Sequence, residues 1–161
     1  MRVAIITLSD SGYAGQREDK SGPVIRELAE AAGYEIVHTV LLPDGIEPLA
    51  SELRQLCDED MADLVLTTGG TGFSPTDLTP EATLSVVERP APGIAEAMRY
   101  NSLQITPRAM LSRGVAGIRK KTLIVNLPGS PKAVRECLEF ILPSLGHGLE
   151  ILRGTAGECA R

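Results

Sequence analysis

A chain of 161 residues, 43% hydrophobic and 23% charged, is long enough for one well-buried core and short for two, so we expect a single domain over residues 1–161. Its formal charge of -5 argues against broad nucleic-acid or membrane-surface binding, which needs a basic face. No segment approaches membrane-spanning length, and Met1 to Leu8 lacks a signal-peptide pattern, which points to the cytoplasm.

Val3 to Leu8 is an apolar, β-branched run and reads as the first strand. Val24, Ile25, Leu28, Ala29 and Ala32 then recur at helical spacing before the breaker Gly33. Glu35 to Leu42 reads as a second strand ending in Pro43-Asp44-Gly45, and Ile46, Leu49, Ala50, Leu53, Leu56 and Cys57 line one face of a second helix. Leu64 to Thr68 is a third, buried strand running into glycines. Thr79, Pro80 and Glu81 follow as N-cap, first helical position and acidic first turn. Gly93 to Leu103 has helical character. Val115 to Ile118 reads as a short strand hairpinned through Arg119, Lys120 and Lys121 to the strand Thr122 to Leu127. Val134, Cys137, Leu138, Ile141 and Leu142 mark a closing helix. The expected fold is α/β: a mainly parallel sheet with helices on both faces and a short antiparallel edge, a three-layer sandwich.

Cys57, Cys137 and Cys159 are odd in number and widely spaced, giving neither a disulfide framework nor a metal-ligand pattern, and the first two fall in apolar helical stripes. His38 and His147 stand in contexts that read as structural or surface. The chemistry concentrates at strand ends. "SDSGYAGQREDKSGP" follows the first strand, "PDG" the second, "GGTGFSPTD" the third, and "PGSPK" the strand ending at Leu127. Each is turn and cap chemistry by itself. Four such segments at the carboxyl edge of one sheet form a place where ligands gather and where helix N-termini favour anions. Neither a dinucleotide fingerprint nor a P-loop is present.

"TTGGTGFSPTDLTPEAT", "SDS", "LLPDG" and "MLSRGVAGIRKKTLIVNLPGSPK", in that spacing, resemble the molybdopterin-binding MogA/MoaB family over almost the whole chain. The resemblance implies the same α/β sandwich, a homotrimer, and transfer of AMP from Mg-ATP to molybdopterin. It assigns catalysis and Mg²⁺ binding to Asp44 and Asp77. Paired carboxylates and phosphate oxygens suit Mg²⁺, and no protein nucleophile is required because the molybdopterin phosphate attacks ATP. Matched to substrate binding are Ser9, Asp10, Ser11, Asp19, Ser21 and Gly22 in the first loop. Gly69, Gly70, Thr71, Gly72 and Phe73 match in the glycine loop, as do Asn126, Pro128, Gly129 and Ser130 in the last. Ser112 and Arg113 match a basic element near the pterin, where a guanidinium would suit a bidentate phosphate contact. Phe73 either covers a planar ring or packs its loop. A side chain at Gly70 should cost ligand binding more than stability, since loops add little to the core. A catalytically silent molybdopterin carrier or scaffold of the same pathway is the alternative, and metal insertion would need a separate partner protein.

Overall fold

Each central strand carries an unbroken apolar run because it is covered on both faces. Successive residues point to opposite sides of a strand, so one run feeds two cores. The structure, a computed structural model, describes residues 1–156; Cys159 lies outside the described residues. Strand β1 (Arg2–Leu8) sends Val3 and Ile5 into one core and Ala4, Ile6 and Leu8 into the other. The other strands are β2 (Glu35–Leu42), β3 (Leu64–Thr68), β4 (Arg89–Pro90), β5 (Ala116–Arg119) and β6 (Thr122–Leu127). They form one sheet in the order β2-β1-β3-β6-β5-β4. The β2, β1, β3 and β6 strands run parallel, and β5 and β4 add the antiparallel edge that the hairpin pattern predicts.

Helices α2 (Ser21–Ala31), α5 (Pro92–Leu103) and α6 (Pro131–Arg153) pack on one face over Leu64, Leu66, Leu123 and Val125. Helices α3 (Ile46–Asp58) and α4 (Thr79–Leu84) cover the other face over Val65 and Ile124. A single helical turn, α1 (Asp10–Tyr13), and a 3-10 segment, Pro107–Leu111, complete the chain. Cys57 and Cys137 are buried free thiols inside the cores, as their stripes predict. His38 sits on β2 with its Nε2 2.7 Å from the Glu52 carboxylate of α3. Among the described residues no helix is long and apolar enough to cross a membrane.

Because four strands are parallel, the C-terminal ends of β2, β1, β3 and β6 lie side by side along one edge. The loops carrying Asp44, Ser9 to Gly22, Gly69 to Asp77 and Pro128 to Ser130 are therefore neighbours. Helix α6 starts from Ser130, whose Oγ accepts from Ala133 N–H at 3.4 Å, with Pro131 in the first turn, as read from the sequence. At α4 the sequence expectation is corrected. Thr79 is not the cap: its Oγ1 donates to Gly69 O at 2.9 Å, and the helix begins after Leu78 without a side-chain cap.

Candidate functional site at the strand ends

The loops after β1 and β2 are stitched together by two aspartates. Asp10 N–H donates to Asp44 Oδ2 and Asp44 N–H donates to Asp10 Oδ1, each at 3.0 Å. Ser9 Oγ accepts from Gly12 N–H at 3.0 Å and lies 3.3 Å from Ser11 Oγ, which fixes the turn that presents Asp10. Burial pushes the Asp44 carboxyl above its ordinary pKa; the Asp10 N–H opposes this, and the charges of Asp10 and Asp77 add to it. The Asp44 carboxyl thus sits partly buried between two other carboxylates at the edge of the sheet.

The glycine loop is closed tightly on itself. Gly69 and Gly70 have φ of +95° and +65°, which favours glycine. A Cβ on Gly69 would lie 2.3 Å from Leu8 O, and one on Gly70 would lie 2.3 Å from Thr79 Oγ1. Thr79 N–H also donates to Gly70 O at 3.1 Å. The expectation that a side chain at Gly70 would spare stability is therefore corrected: the nearest obstacle is the protein's own Thr79. Further on, Asp77 Oδ2 accepts from Ser74 N–H at 2.9 Å, and a Cβ on Gly72 would come within 2.8 Å of it. Thr71 is buried, whereas Phe73 is 70% exposed and so is not packed into its own loop.

A cleft of about 420 Å³ opens between the end of β1, the α2 start and the α6 start. Asp19 frames it: Thr7 Oγ1 donates to its Oδ2 at 2.7 Å, and the N–H groups of Ser21 and Gly22 donate to its Oδ1 at 2.9 and 3.0 Å. Ser21 Oγ donates to Gly129 O at 2.7 Å, and Thr68 Oγ1 to Pro128 O at 2.6 Å, locking the last loop against β3. The charged residues lining the cleft are Arg17, Glu18, Asp19 and Lys20; Asp19 is taken by its own hydrogen bonds, and Arg17, Glu18 and Lys20 form no ion pair with a described residue. Two bases and two acids balance along this loop, so the α6 N-terminus at Ser130 and Pro131 is the feature of the cleft that favours an anion. Sequence reasoning missed both cations. The signal was present in "QREDK", where they flank Asp19.

Three of the residues expected to bind substrate stand apart from this cleft. Asn126 is 1% exposed and faces inward: its Nδ2 donates to Thr67 Oγ1 at 3.0 Å and Thr83 Oγ1 at 2.9 Å, and its Oδ1 accepts from Val115 N–H at 3.2 Å. Its side chain is a tie between β3, β6 and α4, with its polar atoms already used. Arg113 does not extend a free guanidinium toward a phosphate, because its nitrogens bond Gly72 O, Asp77 O and Glu81. Ser112 lines, together with Asn126 and Pro128, a second, mostly apolar cleft of about 200 Å³ between α5 and α6. Among the described residues no group of three or more His, Cys, Asp and Glu side chains is placed to hold a metal ion. Asp44 and Asp77 both border the glycine loop, and two carboxylates of this kind would leave the remaining positions of a divalent ion to phosphate and water.

Comparison with known proteins agrees with this fold. The family described as "Probable molybdopterin binding domain" matches residues 4–147. The molybdopterin adenylyltransferase of Helicobacter pylori (strain J99) is 40% identical over 156 residues, spanning 96% of this chain and 89% of that one. The molybdopterin adenylyltransferase of Escherichia coli (strain K12) is 42% identical over 150 residues, spanning 91% and 76%. The crystal structure of the molybdopterin biosynthesis enzyme MoaB from Thermus thermophilus superposes with a TM-score of 0.90 at 48% identity, covering 95% of this chain and 96% of that one. With this fold, these loops and these relatives, the chain belongs to the molybdopterin-binding family of the MogA and MoaB proteins.

Proposed function

We propose that the protein is a molybdopterin adenylyltransferase of molybdenum cofactor biosynthesis, transferring AMP from Mg-ATP to the molybdopterin phosphate with release of pyrophosphate. The observation that carries this reading is a juxtaposition at one sheet edge. Asp44 and Asp77 flank the glycine loop, their Oδ1 and Oδ2 3.5 and 2.8 Å from where a Cβ on Gly70 and Gly72 would stand, beside a cleft that joins Arg17 and Lys20 to the start of α6. That arrangement suits two phosphorylated substrates and a divalent cation.

Arg17, Lys20 and the N–H groups at the α6 start hold phosphate oxygens in the cleft and orient them. Asp44 and Asp77 are the residues that would hold Mg²⁺, which when bound neutralises the triphosphate charge. An oxygen of the molybdopterin phosphate forms the new bond to the α-phosphorus as the bond to the pyrophosphate oxygen breaks, so no side chain serves as a nucleophile. The protein's contribution is positioning and charge neutralisation. Ser9, Asp10 and Ser11 shape the Asp44 side, and Asp19, Ser21, Gly22, Pro128, Gly129 and Ser130 shape the phosphate side.

Residues 1–161 act as a molybdopterin-binding domain, in the cytoplasm. We assign the protein as a homotrimer. Apolar side chains left exposed around the end of α5, among them Tyr100 at 68% and Met110 at 64%, support a face between copies. Asp44→Asn and Asp77→Asn test the proposal: each should abolish adenylyl transfer while molybdopterin binding and folding persist. Retained transfer in both variants would overturn it.

A further inference from the structure

Arg113 spends its side chain on the glycine loop. Its Nε donates to Gly72 O at 2.7 Å, one terminal nitrogen donates to Asp77 O, and the other pairs with the Glu81 carboxylate in the first turn of α4. Its backbone N–H adds a bond to Thr71 O at 2.9 Å. Gly72 and Asp77 are the two ends of the turn that carries the Asp77 carboxylate. One planar guanidinium therefore pins both ends, and a second carboxylate holds that guanidinium in plane.

The segment bearing Arg113 is itself fixed. Arg99 of α5 donates to Gly114 O at 2.8 Å, and Asn126 receives and returns bonds with Val115. Inside the turn, Ser74 N–H donates to Asp77 Oδ2 at 2.9 Å and Asp77 N–H to Ser74 O at 3.0 Å, so the direction of the carboxylate follows from the backbone that Arg113 holds. We propose that Arg113, paired with Glu81, is a positioning residue for adenylyl transfer that fixes the Asp77 carboxylate through the Gly72–Asp77 turn; this rests on the function proposed above.

An ion pair with side chains 33% and 41% exposed adds little to global stability, so its removal should be felt in geometry. A displacement of about 1 Å in a reacting group costs about 10²-fold in rate. The guanidinium fork, rather than charge alone, makes the two carbonyl bonds, and a lysine ammonium cannot span both.

The test compares wild type with Arg113→Lys, Arg113→Met and Glu81→Gln. The measurements are kcat, KM for Mg-ATP, Kd for molybdopterin, Tm, and amide exchange at Ser74 and Asp77 in the ligand-free protein. Expected for both Arg113 variants is a kcat lower by about 10²-fold with KM, Kd and Tm unchanged, and faster exchange at the two amides. Glu81→Gln, which keeps the two carbonyl bonds, should lose less. Full kcat in Arg113→Lys would overturn the proposal. So would a weakened molybdopterin Kd with unchanged amide exchange, which would make Arg113 a ligand contact. Should wild type transfer no AMP, the proposed function fails separately. The exchange measurement still decides the pin: faster exchange supports it and unchanged exchange overturns it.

Discussion

Replacing three glycines one at a time by alanine separates backbone strain from contact at the site. Gly15, Gly70 and Gly69 all have positive φ, at +71°, +65° and +95°. A Cβ on Gly15 meets nothing within 4 Å, one on Gly70 meets Thr79 Oγ1 at 2.3 Å, and one on Gly69 meets Leu8 O at 2.3 Å. Gly15→Ala should therefore cost only the left-handed strain of an L-residue, about 1–2 kcal/mol. Gly70→Ala adds the displacement of a hydroxyl that is 2% exposed and bonded to Gly69 O, roughly 1–2 kcal/mol more. For a chain of this size that difference is about 2–8 °C in Tm. Gly69→Ala should be the worst of the three, because its obstacle is backbone and cannot rotate away. Thermal unfolding followed by circular dichroism reads the series directly. Equal losses at Gly15 and Gly70 would refute the reasoning, since contact with Thr79 would then contribute nothing.

Asn126→Ala should destabilise by about 3 kcal/mol, measured by denaturant unfolding, because it strands the Val115 N–H and two buried threonine hydroxyls; a loss below about 1 kcal/mol would contradict its role as a tie. Arg153 foremost, opposed by desolvation and helped by Arg2, holds the Asp60 carboxyl down at about 2. Its folded pKa lies below the unfolded value of about 3.9, so this contribution is present above that value and is lost as pH falls through about 2. Acid titration of stability should show a shallower fall over that window in Asp60→Asn, with a small effect that salt reduces because the side chain is 57% exposed. Lys20→Ala should weaken binding of a phosphate-bearing substrate by roughly tenfold, about 1.4 kcal/mol, and reduce its salt dependence; calorimetric titration at two ionic strengths checks this.

Much of this architecture was legible because its cause is local. Glu35–Leu42, Leu64–Thr68 and Thr122–Leu127 are apolar runs ended by proline or glycine, and they form strands at those bounds. The two-residue strand Arg89–Pro90 carries no pattern; it exists because Glu88 N–H and Ala91 N–H reach the carbonyls of Ile118 and Ala116. Helix α1 is a single turn, too short to show a period. At the site, the sequence locates the loops but not which way their side chains turn. Asn126 ends a strand beside a binding loop, yet its partners Thr67 and Thr83 are 59 and 43 residues away in sequence and draw it inward. Arg113 is taken in the same way by Glu81, 32 residues away. In "QREDK" two bases stand beside two acids with no pattern to separate them, and only the fold turns Arg17 and Lys20 toward the start of α6.

The most direct test of the central claim is incubation of the purified protein with molybdopterin and Mg-ATP, with mass spectrometry of the pterin and an assay of pyrophosphate. Adenylylated molybdopterin and pyrophosphate should form in equal amounts, both dependent on Mg²⁺. Tight molybdopterin binding with no AMP transferred and no pyrophosphate released would contradict it and leave the protein a carrier.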